Sequence, residues 1–174
     1  LNPVQLFFNE SLEAELNKIF EITSSRFESL IEKMKTQNLK SALTFIFHGN
    51  PGTGKTEAVK QLALKNNRTI LSVDCSQILD KHVGESEKKM KQVFSEYRQA
   101  MKLQVETPIL LFNEADALLS KRGNVEKSVD QMYNSLQNIL LQELEDFEGI
   151  FIATTNMLAN MDLAFRSEER RVGK

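Results

Sequence analysis

The chain has 174 residues, of which 41% are hydrophobic and 26% are charged, so it has enough apolar material for one domain with a buried core. Its formal net charge of −2 gives no overall positive field for nucleic acid, which is therefore not an indicated partner. No run reaches the roughly 18 apolar residues of a membrane span, and the first residues do not resemble a secretion signal, so we expect a cytoplasmic protein without a membrane segment.

The N-terminal part of the chain is polar, with apolar residues at helical spacing. Residues 6–35 contain neither glycine nor proline, and their apolar positions recur every three or four residues. This pattern predicts one or two amphipathic helices. We assign residues 1–38 to such helices, packed on the core that follows.

Four strand-like runs then alternate with helical patterns. The predicted strands are residues 43–47, 69–73, 109–112 and 150–153, and the predicted helices are residues 56–66, 85–102 and 129–145. This alternation predicts an α/β fold with a parallel sheet between helices. The runs are apolar almost throughout, which is typical of strands buried on both faces.

A glycine-rich loop follows the first predicted strand. Residues 49–56 fit the pattern G-x-x-x-x-G-K-[ST], and a helical pattern follows at once. Backbone N–H groups of such a loop surround the phosphates of ATP or GTP, a lysine adds positive charge, and a hydroxyl binds Mg²⁺. The alternative is a chance glycine-rich turn. The predicted nucleotide-binding residues are Gly49, Asn50, Pro51, Gly52, Thr53, Gly54, Lys55, Thr56 and Glu57.

The single cysteine, Cys75, cannot form an internal disulfide. It lies at the end of an apolar, strand-like run, where cysteine is more often a buried structural thiol than a reactive one. We therefore predict a buried thiol, and a single cysteine also agrees with a cytoplasmic location.

Two polar residues, Asn113 and Glu114, follow the third predicted strand. Side chains at the carboxyl ends of parallel strands lie at the edge of the sheet where α/β folds bind ligands. Glu114 could there orient and deprotonate a water that attacks a γ-phosphate. The alternative is a strand that simply ends in an acidic turn.

Together these residues resemble the nucleotide-binding domain of AAA+ ATPases, in the branch that includes katanin, spastin and the proteasomal ATPases. The resemblance covers residues 39–165, the predicted ATP-binding core. It implies a P-loop NTPase fold, a three-layer sandwich with strand order 5-1-4-3-2, and a homo-oligomeric ring of six. It also implies ATP as the nucleotide, with Mg²⁺ bound by Thr56 and Asn113.

Two further segments resemble functional parts of this family. Residues 153–156, Ala-Thr-Thr-Asn, are similar to its sensor-1 segment, so Asn156 is expected to contact the γ-phosphate and help place the attacking water. Residues 81–88 resemble its pore loop, which implies that His82 and Val83 grip a polypeptide. The alternative for the second segment is an ordinary loop followed by the acidic first turn of a helix.

The chain departs from the family pattern in two places. Asn113 stands where the family has aspartate, and its neutral oxygen predicts weaker metal binding or slower turnover. Residues 166–174 resemble the translation of a sequencing adapter, so we expect a non-native tail. We then expect the fifth strand and the lid domain to be missing, and this chain to be weak or inactive alone.

The expected function is ATP binding and Mg²⁺-dependent ATP hydrolysis, with Lys55, Glu114 and Asn156 as catalytic residues, in a protein that remodels polypeptides. Two alternatives stay open at this point. One is a nucleotide-gated scaffold with little hydrolysis, which Asn113 makes conceivable. The other is a DNA-associated AAA+ loader ATPase, which would not need a gripping loop.

Overall fold

A computed structural model describes residues 10–24, 26–37, 39–79, 83–120, 128–157, 162 and 165 of the chain. For residues 11, 83, 128 and 129 only the backbone is described. Within these ranges the chain forms four strands, β1 (Ala42–His48), β2 (Ile70–Asp74), β3 (Ile109–Asn113) and β4 (Gly149–Thr155). The helices are α1 (Glu10–Ile22), α2 (Arg26–Thr36), α3 (Lys55–Lys65), α4 (Cys75–Ile78), α5 (Val83–Leu103), α6 (Asp116–Leu119) and α7 (Ser128–Glu145).

The strands form one parallel sheet in the order β1-β4-β3-β2. This confirms the predicted α/β class and the predicted order of these four strands. Each predicted strand lies within two residues of its observed bounds, because a long apolar run between turn residues marks a buried strand clearly. In the register, His48 pairs with Thr155, and Phe112 pairs with Ala153. The ends of β1, β3 and β4 therefore meet at one edge of the sheet.

The sheet is buried on both faces, as the apolar strands predicted. Alternate residues of β3 point to opposite sides. Ile109 and Leu111 belong to a core cluster with Val59 and Leu62 of α3, and Leu110 and Phe112 belong to a second cluster on the other face. The second cluster contains residues of α5 and α7, among them Phe94, Tyr97, Leu136 and Leu140. The result is the predicted three-layer sandwich.

The two short helices were not predicted, because four residues do not display a helical period. Cys75, placed by the sequence prediction in a strand-like run, is instead the first residue of α4. The prediction of a buried thiol is confirmed, since Cys75 is 1% exposed. Burial raises the pKa of its thiol to about 12, with a further contribution from the nearby carboxylates of Asp74, Asp116 and Glu114.

Two helices occupy the N-terminal region. Apolar side chains such as Ile19 and Phe27 pack in the core cluster that contains Val59 and Leu62, and Arg68, which lies between α3 and β2, contacts α2 and the turn before it. The Arg68 side chain has no exposed surface, and its guanidinium forms an ion pair with Glu28 at 2.7 Å. It also donates to the backbone oxygens of Thr23, Ser24 and Thr107 at 2.7 to 2.9 Å. All five N–H donors of the guanidinium therefore have acceptors.

Tyr97 of α5 fixes the starts of the two central strands. Its buried hydroxyl donates to the oxygen of Pro108 at 2.7 Å and accepts from the N–H of Ile150 at 3.2 Å. Gly149 lies against this hydroxyl with a φ of +119°, and a Cβ there would collide with the Tyr97 oxygen. Only glycine fits at this start of β4.

Among the described residues, none of the helices combines the length and the apolar character needed to cross a membrane.

Candidate functional site

The predicted phosphate loop joins β1 to α3 at the carboxyl edge of the sheet. Gly52 and Gly54 have φ values of 76° and 83°, in the left-handed region where glycine carries little steric cost. Gly54 is the residue that precedes α3, and it has no side chain to cap the helix. The first N–H groups of α3, at the positive end of its dipole, therefore face outward beside the loop, in the geometry that binds phosphate.

Lys55 connects this loop to the end of β4. Its ammonium group donates to the backbone oxygens of Gly49 and Asn50, both at 2.9 Å, and to the Asn156 side-chain oxygen at 2.8 Å. An ammonium group has three donors, so these contacts use all of them. Two predicted site residues that are 101 positions apart in the sequence are thus in direct contact.

Asn113, at the end of β3, is held by two hydroxyl groups. Thr56 donates to its side-chain oxygen at 2.7 Å, and Thr154 donates to the same oxygen at 2.9 Å. The Thr154 hydroxyl in turn accepts from the backbone N–H of Glu114 at 3.0 Å, which directs its proton to Asn113. The threonine of the phosphate loop and the residue before Glu114 are therefore joined.

Glu114 has a φ of 54°, an unusual conformation for a residue with a side chain. Two hydrogen bonds to Thr154 hold this turn. The N–H of Glu114 donates to the Thr154 hydroxyl at 3.0 Å, and the N–H of Ala115 donates to the backbone oxygen of Thr154 at 2.8 Å. This conformation costs on the order of 1–2 kcal/mol and persists only where the surroundings impose it. The turn leaves the Glu114 side chain exposed beside the phosphate loop.

These residues line a common cavity of about 370 Å³. Its lining residues are Pro51, Gly52, Gly54, Lys55, Thr56, Glu57, Lys60, Asn113, Glu114, Thr154, Thr155 and Asn156. Three predicted residues do not line it. Gly49 and Thr53 line a neighbouring cavity, and Asn50 contacts the site through its backbone oxygen, which accepts from Lys55.

The neighbouring cavity is larger and mostly apolar. It has a volume of about 490 Å³ and lies between α1, β1 and the phosphate loop. Apolar side chains of α1 and β1 line it, including Leu12, Leu16, Ile19, Phe45 and Phe47. Gly54 and Lys55 line both cavities. A polar, phosphate-sized space and an apolar space therefore adjoin each other across the loop.

The sequence prediction did not assign Lys60, Thr154 and Thr155, which line the cavity, or Asp116, which contacts the end of β4. Asp116 accepts hydrogen bonds from the Thr155 hydroxyl and the Asn156 backbone N–H, each at 2.7 Å. The sequence signals were present, since Thr154 lies in the sensor-like segment and Asp116 follows Glu114 by two positions. They had no assignable role because both act through contacts between β3 and β4 that depend on the sheet order.

The chemistry of the donor set fits Mg²⁺. Within the described ranges, no group of three or more His, Cys, Asp or Glu side chains is arranged to hold a metal ion. Mg²⁺ bound to a nucleotide keeps several waters and phosphate oxygens, however, and needs only one or two protein ligands. Since Thr56 donates its proton to Asn113, the lone pairs of its hydroxyl oxygen are available to a hard cation.

The predicted pore loop lies largely outside the described residues. His82 is not described, and Val83 is described only as the first residue of α5, without its side chain. Glu85 lies in the first turn of α5. The assignment of a gripping role to His82 and Val83 stays a prediction.

The comparison with known protein families agrees with this site. Residues 45–173 match the model of the ATPase family associated with various cellular activities, AAA. The cell division cycle protein 48 homolog of Archaeoglobus fulgidus is 34% identical over 131 residues, which cover 72% of this chain and 17% of that protein. The peroxisomal ATPase PEX6 of Saccharomyces cerevisiae is 32% identical over 121 residues, covering 67% of this chain and 11% of that protein.

A relative with a closer match in length is the proteasome-activating nucleotidase of Aeropyrum pernix. It is 30% identical over 169 residues, which cover 92% of this chain and 39% of that protein. The chain thus spans well under half the length of each of these three relatives. The predicted resemblance is confirmed by the family match and by these similarities: the chain belongs to the AAA family of ATPases.

Proposed function

We propose that this chain is the ATP-binding and ATP-hydrolysing core of a ring-forming ATPase that remodels polypeptides. The observation that carries the proposal is the hydrogen bond between Lys55 and Asn156, two residues that line one cavity together with Glu114. A phosphate-binding lysine, a carboxylate and an amide thus face one space of a size that suits phosphate groups. We place this core at residues 39–165, with residues 1–38 packed on it.

ATP would bind with its phosphates on the loop of residues 49–56. Backbone N–H groups at the start of α3 would donate to the phosphate oxygens, as the left-handed glycines allow. Lys55 would exchange its three neutral acceptors for phosphate oxygens, which accept more strongly because they are charged. The apolar cavity against α1 adjoins this space and suits the base of the nucleotide.

Thr56 and Asn113 would hold Mg²⁺, which when bound neutralises phosphate charge. Glu114 would orient a water and accept its proton as the water oxygen attacks the γ-phosphorus. The bond from the γ-phosphorus to the β–γ bridging oxygen breaks, and the products are ADP and inorganic phosphate. Asn156, which lines the same cavity, would contact the γ-phosphate.

The replacement of Glu114 by glutamine tests the hydrolytic role. Glutamine keeps the size of the side chain but cannot accept the proton, so the rate of phosphate release should fall by about 10²–10⁴-fold. Affinity for ATP should stay within about twofold, since Glu114 contributes no donor to the phosphates. Phosphate release would be measured in single turnovers, with protein in excess over ATP, because multiple turnover by this chain alone is expected to be weak. ATP binding would be measured for the same two proteins, the wild type and Glu114→Gln. An unchanged rate of hydrolysis would exclude Glu114 as the base.

The second candidate is a nucleotide-gated scaffold with little hydrolysis, and Asn113 favours it. Its neutral oxygen already accepts from two hydroxyl groups, so it offers a cation less than a carboxylate would. In this case the wild type would bind ATP and release phosphate no faster than Glu114→Gln. The same pair of proteins therefore separates the two functions.

The ring of six and the polypeptide substrate are part of the proposal and rest on the family resemblance and the sequence of residues 81–88. One relative is named a proteasome-activating nucleotidase, which is a role toward a protein partner. Light scattering with and without ATPγS would test the assembly.

The gripping role of the loop is tested by Val83→Ala. If the loop grips a polypeptide, this change should lower polypeptide-stimulated hydrolysis and leave basal hydrolysis unchanged.

A further inference from the structure

Asp116 is the first residue of α6, and its carboxylate faces the end of β4. One oxygen accepts from the Thr155 hydroxyl and from the Asn156 backbone N–H, each at 2.7 Å. The other oxygen faces the side-chain nitrogen of Asn156 at 3.4 Å, a longer and weaker contact. A single carboxylate therefore contacts both the backbone and the side chain of Asn156.

The side chain of Asn156 lies between two groups of opposite charge. Lys55 can only donate hydrogen bonds, and a carboxylate can only accept them. The amide oxygen must consequently face Lys55, and the amide nitrogen must face Asp116. Asn156 is itself exposed, so these two neighbours, rather than packing, fix its orientation.

These two neighbours behave differently when a phosphate competes for Lys55. The contact with Lys55 is then weakened, because phosphate oxygens take the ammonium donors. Asp116 is hydrogen-bonded to residues at the edge of the sheet, and phosphate does not compete for those hydrogen bonds. Its two contacts at 2.7 Å keep the backbone of Asn156 in place at the mouth of the cavity.

We propose that Asp116 is a positioning residue for Asn156, which makes it a determinant of how well the site distinguishes ATP from ADP. The proposal rests on the proposed function, because it assumes that Asn156 contacts the γ-phosphate. Asp116 does not touch the nucleotide. It acts by holding the backbone and the amide orientation of Asn156.

A purely structural role for Asp116 makes a different prediction. An acidic residue at the start of a helix is favoured by the helix dipole wherever it occurs. Loss of that effect would lower the stability of the fold but would not alter the relative affinities for ATP and ADP. The ratio of the two affinities therefore separates a positioning role from a structural one.

The test uses Asp116→Asn, which has the same size as the wild type. One end of its amide can still accept from Thr155 and the Asn156 N–H, but the other end places a donor against the donor of Asn156. Affinities for ATPγS and ADP would be measured with Mg²⁺ by competition against a fluorescent ADP analogue. We expect ATPγS affinity to fall about 5–10-fold, the loss of roughly one ordinary hydrogen bond, and ADP affinity to stay within about twofold.

Asp130→Asn is the matched control, because Asp130 is also an acidic residue in the first turn of a helix, α7. Its ratio of affinities should equal that of the wild type. Asp116→Ser serves as a second variant, since serine is small and is tolerated in a first helical turn. It also removes the contact with the Asn156 amide, so its ratio should fall as well. The urea midpoint of each protein establishes that it is folded.

The route through Asn156 is tested by repeating the measurement in Asn156→Ala. If Asp116 acts through Asn156, adding Asp116→Asn to Asn156→Ala changes the ratio no further. An equal fall of the ratio in both backgrounds would overturn the proposal, and so would a wild-type ratio in Asp116→Asn. A wild type that bound neither nucleotide would instead refute the proposed function, and this inference with it.

Discussion

Lys55 and Arg68 lie at opposite ends of α3, and each joins parts of the chain that are far apart in the sequence. Lys55, the first residue of the helix, connects the phosphate loop to β4. Arg68 follows the last turn and connects the core to α2 and to the turn before it. Lys55 is half-buried, whereas the Arg68 side chain has no exposed surface.

The difference between the two cations shows how one helix serves both binding and stability. Lys55 contacts three neutral oxygens at the edge of a cavity, so a phosphate can replace them without leaving a buried charge unpaired. The Arg68 side chain is fully buried and contacts the partly exposed carboxylate of Glu28 and three backbone oxygens, which its fork geometry fits together. Lys55 can exchange its partners, and Arg68 cannot.

The largest effect should come from Arg68→Ala. Removing the guanidinium leaves the Glu28 carboxylate and three backbone oxygens without their donor. The Glu28 side chain is 34% exposed, so its carboxylate can be partly rehydrated. We therefore expect a loss of about 2–3 kcal/mol, below the cost of breaking a fully buried ion pair but still a large part of the total stability of a domain. Urea unfolding followed by circular dichroism would measure the loss.

Arg68→Lys is the control for this change, because it keeps the charge but offers three donors in place of five. We expect its free energy of unfolding to lie between the wild type and Arg68→Ala. If Arg68→Ala unfolded within about 1 kcal/mol of the wild type, the contrast between the two cations would be wrong.

The second effect is a dependence of stability on pH. Burial by itself raises the pKa of Glu28, but its hydrogen bonds and ion pair with Arg68, together with backbone donors, outweigh burial and lower the pKa. A carboxylate whose pKa is lowered by folding stabilises the protein above its unfolded pKa, near ~4.3. That stabilisation is lost as the pH falls through the lower pKa of the folded state.

The free energy of unfolding should therefore decrease as the pH is lowered from about 6 to about 3. Glu28→Gln should be less stable at neutral pH and should have a flatter pH profile over this interval. Urea unfolding at a series of pH values would measure both. Identical slopes for Glu28→Gln and the wild type would assign the acid sensitivity to other carboxylates.

The smallest effect concerns Asn113, which accepts a hydrogen bond from Thr56 in the first turn of α3. Asn113→Asp would replace a neutral metal ligand by a charged one while keeping acceptors for Thr56 and Thr154. We expect the concentration of Mg²⁺ that half-saturates ATP binding to fall several-fold, equivalent to about 1 kcal/mol. The free energy of unfolding should not change by more than a few tenths of a kcal/mol. Titration of Mg²⁺ at fixed ATP would measure the shift, and an unchanged midpoint would exclude Asn113 as a metal ligand.

The fold was largely predictable because its elements carry strong local patterns. The buried strands β3 and β4 and the phosphate loop are each contiguous in sequence, and each has a physical reason for its composition. α4 and α6 were missed because single turns have no period.

The contacts that complete the site were not predictable from the same patterns. Asp116 reaches Asn156 only because β3 and β4 are neighbours, and that order came from resemblance rather than from the residues. Arg68 was missed for a related reason. A lone arginine between a helix and a strand has no pattern, and its partners lie 39 to 45 positions away.

The exchange of partners at Lys55 is tested most directly by calorimetric titration of Mg·ATPγS into the wild type, Lys55→Met and the control Lys102→Met, which removes an exposed charge from the last turn of α5. The wild type and Lys102→Met should bind one equivalent with equal affinity. Lys55→Met should bind roughly 10–100-fold more weakly, the loss of charged hydrogen bonds to phosphate, while its urea midpoint stays near that of the wild type. Equal affinity of Lys55→Met and the wild type would contradict the assignment of this cavity as the phosphate site.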